Sequence, residues 1–240
     1  MLKNRSILIT GASSGIGRAT AELFLENGWR VGVLARRAEK LHQIFAAYDN
    51  AVVVPADVAD EHAVAQAFRD FRDQTSRLDV VFNNAGMFGP TGTIDDISVD
   101  DWMKTLSVNV AGAFMVARFA FKYMRQQNPM GGRIINNGSI SAYTPRAGAV
   151  CYTTTKHAMT GLTKSLALDG RAYNIACGQI DIGNAESQMV AELKVQNPHM
   201  ETMRVCHAAE SVLHMANLPL SANVLFMTVM ATKMPYVGRG

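Results

Sequence analysis

The chain has 240 residues, of which 48% are hydrophobic and 18% are charged, and its formal net charge is +3. This length suits one α/β domain, and the composition excludes a disordered or fibrous protein. The charge is small and no run of Lys or Arg exceeds two residues, which argues against a nucleic-acid partner.

The remaining global features predict a cytoplasmic protein. Its three cysteines are widely spaced and show no CxxC or zinc-ligand pattern, which fits a reduced, intracellular setting without a metal site. The apolar run ILI after the basic start is too short for a signal peptide. No run approaches the roughly 18 apolar residues that a membrane helix needs, so we expect no membrane partner.

Short apolar runs alternate along the chain with longer amphipathic runs. The predicted strands are SILITG (6–11), WRVGVLA (29–35), AVVVPA (51–56), LDVVFNNAG (78–86), GRIINNGS (132–139), YNIACGQI (173–180) and NVLFMTV (223–229). The predicted helices are GRATAELFLENG (17–28), EKLHQIFAAY (39–48), DEHAVAQAFRDFRDQT (60–75), two longer ones over 99–127 and 151–170, and AAESVLHMANL (208–218). A less regular segment follows the sixth strand.

Strands that alternate with helices of this length indicate βαβ units and a parallel sheet. Right-handed crossovers place helices on both faces of such a sheet. The predicted fold class is therefore α/β, a doubly wound parallel sheet of about seven strands, in a single domain over 1–240.

The segment TGASSGIG lies between the first strand and the first helix. Gly11 permits a tight turn, Gly15 lets the backbone approach a pyrophosphate, and Gly17 lets the helix pack closely. The helix N-terminus then offers free N–H groups and partial positive charge to an anion. The predicted cofactor contacts in this segment are Gly11, Ser13, Ser14, Gly15, Ile16 and Gly17. A glycine motif alone also fits a structural turn, but its place in a βαβ series favours a Rossmann-type dinucleotide site.

Tyr152 and Lys156 lie four residues apart on a predicted helix, so their side chains share one face. Reduction of a carbonyl needs a hydride at carbon and a proton at oxygen, and a tyrosine hydroxyl can supply that proton. A neighbouring ammonium stabilises the phenolate that remains, which suits general acid–base catalysis. Ser139, 13 residues before Tyr152, could hold the substrate oxygen and stabilise a developing alkoxide.

These segments together resemble the short-chain dehydrogenase/reductase family. The G-x-x-x-G-x-G spacing is similar to that family's version of the glycine turn, and the resemblance continues in order through NNAG (83–86), Asn109, Ser139 and the Tyr152/Lys156 pair, from about residue 5 to 184. It implies an NAD(P)-dependent oxidoreductase that interconverts a ketone or aldehyde and an alcohol by hydride transfer, with a small molecule as substrate.

The resemblance also assigns roles to individual residues. It implies that the segment of Asn84, Ala85 and Gly86 passes beside the adenine ribose. It implies that Asn109 holds a water in a proton relay to Lys156. It further implies that Tyr152 and Lys156 contact the cofactor, the lysine through the nicotinamide-ribose hydroxyls.

The end of the second predicted strand bears on the choice of cofactor. An acid there would accept hydrogen bonds from the ribose hydroxyls and favour NAD, but this chain has Ala35 followed by Arg36 and Arg37. Two guanidiniums could hold the 2′-phosphate of NADP through charge-assisted hydrogen bonds. We therefore expect NADP(H) to be preferred over NAD(H). Both arginines also fit solvated loop charges.

Asp57 follows the third predicted strand in the segment ADV. Its carboxylate is placed to meet the adenine amino group, and the resemblance implies a second adenine contact from the backbone N–H of Val58. Asp57 also fits the N-cap of the next helix, and the two roles are compatible.

The segment CGQIDIGNA is expected to leave the sixth strand as the wall beside the nicotinamide. In the family this segment is Pro-Gly, then an apolar residue and a Thr that touches the nicotinamide carboxamide. By this resemblance Cys177 replaces the Pro, Gly178 matches the Gly, Ile180 takes the apolar place and Ile182 the Thr place. An isoleucine has no hydroxyl, so backbone groups or Asn184 are the expected partners of the amide.

The resemblance adds two expectations about the outer surface. Residues 184–206 are expected to form a substrate lid. The helices over 99–127 and 151–170 are expected to form a subunit interface, which implies a homodimer or homotetramer.

Two alternatives stay open. A cofactor-binding regulatory or scaffold protein of the same fold would have no need for the set of Ser139, Tyr152 and Lys156. Extended relatives that epimerise or dehydrate nucleotide sugars carry an added substrate domain, for which this chain is short. No G-x-S-x-G follows a strand and the six histidines show no H-x-x-x-H spacing, which argues against a hydrolase or a metalloenzyme.

Overall fold

A computed structural model describes residues 5–237, apart from the side chains at positions 192 and 196. The two ends of the predicted domain, 1–4 and 238–240, lie outside the described residues. Within the described part, no helix is long and apolar enough to cross a membrane.

Between residues 5 and 237, seven strands alternate with eight α-helices. The strands are β1 (Ser6–Thr10), β2 (Arg30–Leu34), β3 (Ala51–Val53), β4 (Val80–Asn83), β5 (Gly132–Asn137), β6 (Ile175–Gly183) and β7 (Phe226–Met230). The helices are α1 (Gly15–Glu26), α2 (Ala38–Phe45), α3 (Glu61–Asp73), α4 (Val99–Leu106), α5 (Ala113–Gln126), α6 (Val150–Asp169), α7 (Gln188–Gln196) and α8 (Val205–Asn217).

The strands form one sheet in the order β3-β2-β1-β4-β5-β6-β7, and all pairs are parallel. The first three strands proceed outward in one direction from β1, and the chain then crosses to β4 and proceeds in the other. Ligands of such open sheets bind at the carboxyl ends of the strands beside this switch point. The predicted α/β, doubly wound fold is confirmed.

Hydrophobic clusters cover both faces of the sheet. Along β1, Ile7 and Ile9 belong to one cluster together with Phe24 of α1, whereas Leu8 belongs to the other together with Phe68 of α3. All three strand residues are fully buried. A strand that is buried on both faces has no polar side, and this explains why the central strands are continuous apolar runs in the sequence.

The helix predicted over 99–127 is continuous but not uniform. Between α4 and α5, Ser107–Gly112 forms a π-helical segment. Asn109 within it is buried, and its side-chain amide both accepts the N–H and donates to the carbonyl of Met87, each at 2.8 Å. Segments of this kind are frequent at functional sites.

The prediction that the sixth strand ends near Ile180 is wrong. β6 continues to Gly183 and pairs with β7 over 179–183. The polar side chains in this stretch are fully buried and hydrogen-bonded, since Gln179 donates to Asp181 at 2.7 Å and Asp181 accepts the Ser139 N–H at 2.9 Å. Because their other partners, Ser139 for Asp181 and Thr160 and Thr163 for Gln179, are distant in sequence, the run has the composition of a loop.

Candidate active site

A cleft of about 470 Å³ lies at the carboxyl ends of the strands. Its walls come from the turns after β1 to β5, from the end of β6, and from α6 and α7. The predicted site residues that line it are Gly11, Ser13, Ser14, Gly15, Ile16, Arg36, Arg37, Asp57, Val58, Asn84, Ala85, Gly86, Ser139, Tyr152 and Lys156.

The glycine turn leaves the N-terminus of α1 available to a ligand. Ser14 occupies the N-cap position without a side-chain capping bond, and the first turn of α1 holds no acid. Gly11 and Gly15 have φ of +69° and +53°, which favour glycine. Gly17 lies against the turn, because a Cβ added there would overlap the Gly11 carbonyl oxygen and lie 2.5 Å from Asn84 Nδ2. This arrangement suits a bound phosphate group.

Thr10 and Asn84 hold the floor of the cleft together. The Thr10 hydroxyl accepts the N–H groups of Asn84 and Ala85, both at 2.9 Å, and Asn84 Nδ2 donates to the Thr10 carbonyl at 2.9 Å. Asn84 Oδ1 accepts Asn137 Nδ2 at 2.8 Å. The ends of β1, β4 and β5 are thus tied together, and Thr10 is a contributor that the sequence analysis did not single out.

Arg36 and Arg37 lie at one end of the cleft, at the end of β2, and both are exposed. Arg37 Nη2 lies 3.4 Å from Ser13 Oγ, so it reaches across to the glycine turn. Ala35 at this position is buried. The end of β2 therefore presents positive charge and no carboxylate toward the cleft.

Asp57 is not the N-cap of α3. Asp60 takes that role, accepting the N–H groups of His62 at 2.8 Å and Ala63 at 3.1 Å. Asp57 Oδ1 accepts the N–H of Ala59 at 3.0 Å, and Asp57 lines the cleft. The capping interpretation is wrong, and its carboxylate stays available to a ligand.

Tyr152 and Lys156 lie side by side on α6. Lys156 Nζ donates to the Asn137 carbonyl at 2.7 Å and lies 5.3 Å from the centre of the Tyr152 ring. The Phe88 ring stacks on Tyr152 with centres 4.7 Å apart. The end of β5 therefore positions the ammonium, and an aromatic side chain positions the phenol.

Ser139 is a buried residue in the turn after β5, one position beyond Gly138. Its Oγ accepts the N–H of Ser141 at 3.1 Å. Because that contact occupies a lone pair, the hydroxyl hydrogen remains free to point into the cleft. The cleft lining includes Ser139, Tyr152 and Lys156 together.

Asn109 does not line the cleft. Besides its two bonds to Met87, its Nδ2 lies 3.1 Å from Thr155 Oγ1. Thr155 precedes Lys156 in α6, so Asn109 connects the helix of the lysine to the loop after β4.

Asp181 is a site residue that the sequence analysis missed. It is fully buried behind Ser139, whose N–H it accepts, and its Oδ2 accepts the Tyr143 hydroxyl at 3.2 Å. Burial raises the pKa of Asp181, and its hydrogen-bond donors and the charge of Lys156 partly offset this. A Cβ added at Gly138 would overlap Asp181 Oδ1. The sequence signal that could have pointed to Asp181 was an acid between two isoleucines.

Gly178 and Ile180 do not reach the cleft, which corrects their assignment to the cofactor wall. Ile180 is fully buried in the core, and a Cβ added at Gly178 would overlap the Val224 carbonyl on the opposite side. Because β6 is longer than predicted, Ile182 and Asn184 line the cleft instead.

Cys177, the residue before Gly178, is fully buried between the sheet and its helices. Burial raises the pKa of its thiol to about 12. The thiol therefore stays protonated at neutral pH and is no nucleophile.

The region predicted as a lid contains α7, which the sequence analysis did not predict. The residues of this region that line the cleft are Asn184, Ala185, Ser187, Gln188, Met189, Val190 and Leu193. Ala185 forms a β-bridge with Met203, which ties the two ends of the region together. One wall of the cleft is thus formed by α7, which a short connection joins to the end of β6, rather than by the sheet.

The sequence matches one family over most of its length. Residues 5–198 match the model of the family described as short chain dehydrogenase. The chain belongs to the short-chain dehydrogenase/reductase family, and it is an oxidoreductase of that family.

Three relatives are about one third identical to this chain over the aligned residues. A 3beta-hydroxysteroid dehydrogenase of Mediterraneibacter gnavus is 34% identical over 178 residues, 72% of this chain and 63% of that protein. A 2-(R)-hydroxypropyl-CoM dehydrogenase of Xanthobacter autotrophicus is 37% identical over 193 residues, 78% and 76% of the two chains. An uncharacterized oxidoreductase of Staphylococcus aureus is 31% identical over 95% of this chain and 98% of its own.

Solved structures share the fold over nearly the whole chain. Serine dehydrogenase complexed with NADP+ has a TM-score of 0.91 at 22% identity, covering 98% of each chain. The 3-ketoacyl-(acyl-carrier-protein) reductase of Brucella melitensis, complexed with NADH, has a TM-score of 0.89 at 22% identity, covering 97% of this chain and 99% of its own.

Proposed function

We propose that this protein is an NADP(H)-dependent oxidoreductase that interconverts a ketone or aldehyde and its alcohol. One observation carries the proposal: the side chains of Ser139, Tyr152 and Lys156 lie in the same cleft as the glycine turn that opens α1. A phosphate-binding turn alone suits a binding protein. A proton donor and an ammonium beside it suit reduction of a carbonyl.

The residues present fit a dinucleotide. The uncapped N-terminus of α1 suits a pyrophosphate, and Gly17 lets α1 begin close against the glycine turn. Asp57 and Val58 would hold the adenine, and Lys156 the hydroxyls of the nicotinamide ribose. When bound, the nicotinamide supplies or accepts the hydride.

The chain's own groups handle the proton. Tyr152 Oη donates a proton to the substrate oxygen in the direction of reduction. The Lys156 ammonium, held by the Asn137 carbonyl, stabilises the phenolate that forms. The Ser139 hydroxyl donates a hydrogen bond to the same substrate oxygen and stabilises charge that develops there.

A panel of ketones and aldehydes, monitored by the loss of NADPH absorbance, tests this function. We expect turnover of at least one member, and the reverse reaction from the matching alcohol and NADP+. Tight NADPH binding without turnover of any member would instead favour the regulatory or scaffold alternative.

The positive end of the cleft leads to a prediction on cofactor preference. Arg36→Ala should weaken NADPH binding by about tenfold or more and leave NADH binding nearly unchanged, because a charge-assisted hydrogen bond to the 2′-phosphate contributes about 1.5–3 kcal/mol. Equilibrium titration with both cofactors measures this. Arg69→Ala, on the exposed face of α3, is the matched control. Equal losses for both cofactors, or a wild-type preference for NADH, would contradict the role of Arg36.

The packing of α1 on its turn leads to a second prediction. Gly17→Ala should weaken binding of NADPH and NADH alike, by at least about tenfold, because the added Cβ must push α1 away from the Gly11 carbonyl. Gly161→Ala in α6 is the control, since a Cβ added there meets nothing within 4 Å. Unchanged affinity in the Gly17 variant would show that the turn does not hold the cofactor.

We also propose that a second copy of this chain covers α4 and α5. Their outer face exposes Val99, Met103 and Phe114, at 74%, 56% and 53% of their surfaces. Large apolar side chains grouped on one face are typical of subunit contacts. This supports a homodimer or homotetramer. Separately, we propose that α7, whose residues line the cleft, belongs to the substrate lid.

A further inference from the structure

The cleft carries more positive charge than the proposed cofactor contacts account for. Its charged lining residues are Arg36, Arg37, Asp57, Lys104, Arg146 and Lys156. Of the cations, Lys104 and Arg146 have no part in the proposed function. Asp57 is the one acid among these described lining residues, so the cleft attracts anions.

Arg146 is held in place on the loop between Ser139 and Tyr152. Its Nη2 donates to Asn184 Oδ1. Asn184 is itself anchored, because its Nδ2 donates to the Glu201 carbonyl at 3.0 Å and its own carbonyl accepts the Met203 N–H at 3.0 Å. The guanidinium is therefore fixed relative to the end of β6 rather than free in solvent.

Among the described side chains, this half-buried guanidinium has no counter-ion. Across the described part of the chain, no carboxylate lies within 4.0 Å of Arg146, and its Nε and Nη1 make no hydrogen bond. These two nitrogens are not among the buried groups that lack a partner, so they stay open to a ligand in the cleft. A planar carboxylate suits them, because both of its oxygens can accept from the guanidinium fork.

The cleft also offers apolar contacts. Phe88 stacks on Tyr152, and Met87, Met189 and Leu193 line the cleft together with polar residues such as Ser141 and Gln188. The cleft can therefore hold a ligand that has both an apolar body and a charged group.

We propose that Arg146 binds a carboxylate of the substrate, so that the physiological substrate is a carbonyl compound, or its alcohol, that carries a carboxylate. The inference rests on the proposed function, since it places the reacting carbonyl at Ser139 and Tyr152. It explains why a second cation lies beside a site whose chemistry at the carbonyl needs only Lys156.

Binding to the protein saturated with NADP+ tests the proposal without turnover. Two matched pairs serve as probes: levulinate with its methyl ester, and para-acetylbenzoate with its methyl ester. In calorimetric titrations the acid of at least one pair should bind about tenfold or more tightly than its ester, as expected for a charged hydrogen-bonded pair. Arg146→Met should remove this preference and Arg146→Lys should keep part of it. Lys104→Gln, which removes an exposed cation of the same cleft, should leave it intact.

Three results would overturn the assignment of Arg146. The acids could bind no more tightly than the esters, the preference could survive Arg146→Met, or Lys104→Gln could remove it as fully as Arg146→Met does. Equal weakening of acid and ester in Arg146→Met also counts against it, because Arg146 would then only brace Asn184. Turnover of the esters or of other neutral carbonyls would leave the proposed function standing in each case. Selective acid binding without turnover of any carbonyl would instead remove the proposed function and leave the carboxylate site.

Discussion

Tyr152→Phe is expected to lower turnover by about a hundredfold to ten-thousandfold, the usual contribution of a positioned general acid. The affinity for NADPH should stay close to that of the wild type, because the phenylalanine ring keeps the stack on Phe88 and only the hydroxyl is lost. Steady-state rates and an NADPH titration on the same preparation measure both quantities.

Tyr143→Phe is the matched control for this variant. The Tyr143 hydroxyl also lies near the site, but it donates to Asp181 and the residue does not line the cleft. This control should keep most of its activity. A Tyr152→Phe variant with a wild-type rate would show that the proton comes from another group, and the assignment of Tyr152 would be wrong.

Asp181→Ala is expected to have the second largest effect, on stability and turnover together. The substitution leaves the Ser139 N–H and the Gln179 amide without their acceptor in a buried setting. The Ser139 N–H is then an orphaned group, which costs about 1–3 kcal/mol, and the Gln179 amide keeps only its bond to Thr160, so the free energy of unfolding should fall by about 2 kcal/mol. Because Ser139 loses the contact that fixes its backbone, kcat should fall while NADPH affinity is retained.

Asp181→Asn distinguishes the effect of the Asp181 charge from its effect on the position of Ser139. The amide oxygen can still accept the Ser139 N–H, and the amide nitrogen can donate to the Tyr143 oxygen. We therefore expect this variant to recover most of the activity that Asp181→Ala loses. Equal loss of kcat in both variants would show that the negative charge, rather than the position of Ser139, is what matters.

The wild type and Asp181→Asn should also differ in how their stability depends on pH. Burial raises the pKa of Asp181 above its ordinary 3.8, so the folded protein keeps this proton at pH values where the unfolded chain has released it. The contribution of Asp181 to stability is therefore largest below about pH 4 and declines as the pH rises through the folded-state pKa. Denaturant unfolding at several pH values should show the free energy of unfolding of Asp181→Asn rising relative to that of the wild type as the pH increases over that range. A pH-independent difference, or one of opposite sign, would contradict this.

Much of the fold could be predicted because its signals are local. A central strand such as β1 has no polar face, and the glycine turn directly precedes a helix with a clear apolar stripe. The α/β sheet follows from these patterns alone. The end of β6 could not be found this way, because Gln179 and Asp181 resemble loop residues until their partners in α6 and in the turn after β5 are known. The π-helical segment around Asn109 likewise accompanies contacts with Met87 and Thr155.

The same distinction holds within the candidate site. Tyr152 and Lys156 were found because four residues of helix bring them to one face. Asp181 was missed because an acid between two isoleucines carries no spacing signal, and its role exists only where β6 passes behind Ser139. Arg146 has no local signal either, since its exposure to the cleft depends on Asn184 after β6.

A crystal structure of the protein with NADPH tests the central claim most directly. We expect the pyrophosphate at the N-terminus of α1, the 2′-phosphate at Arg36, and the nicotinamide ring facing Ser139 and Tyr152 with room for the substrate carbonyl between ring and side chains, with the ribose hydroxyls within hydrogen-bond distance of Lys156. A cofactor bound outside this cleft, or with its nicotinamide directed away from Tyr152, would contradict the proposed oxidoreductase site.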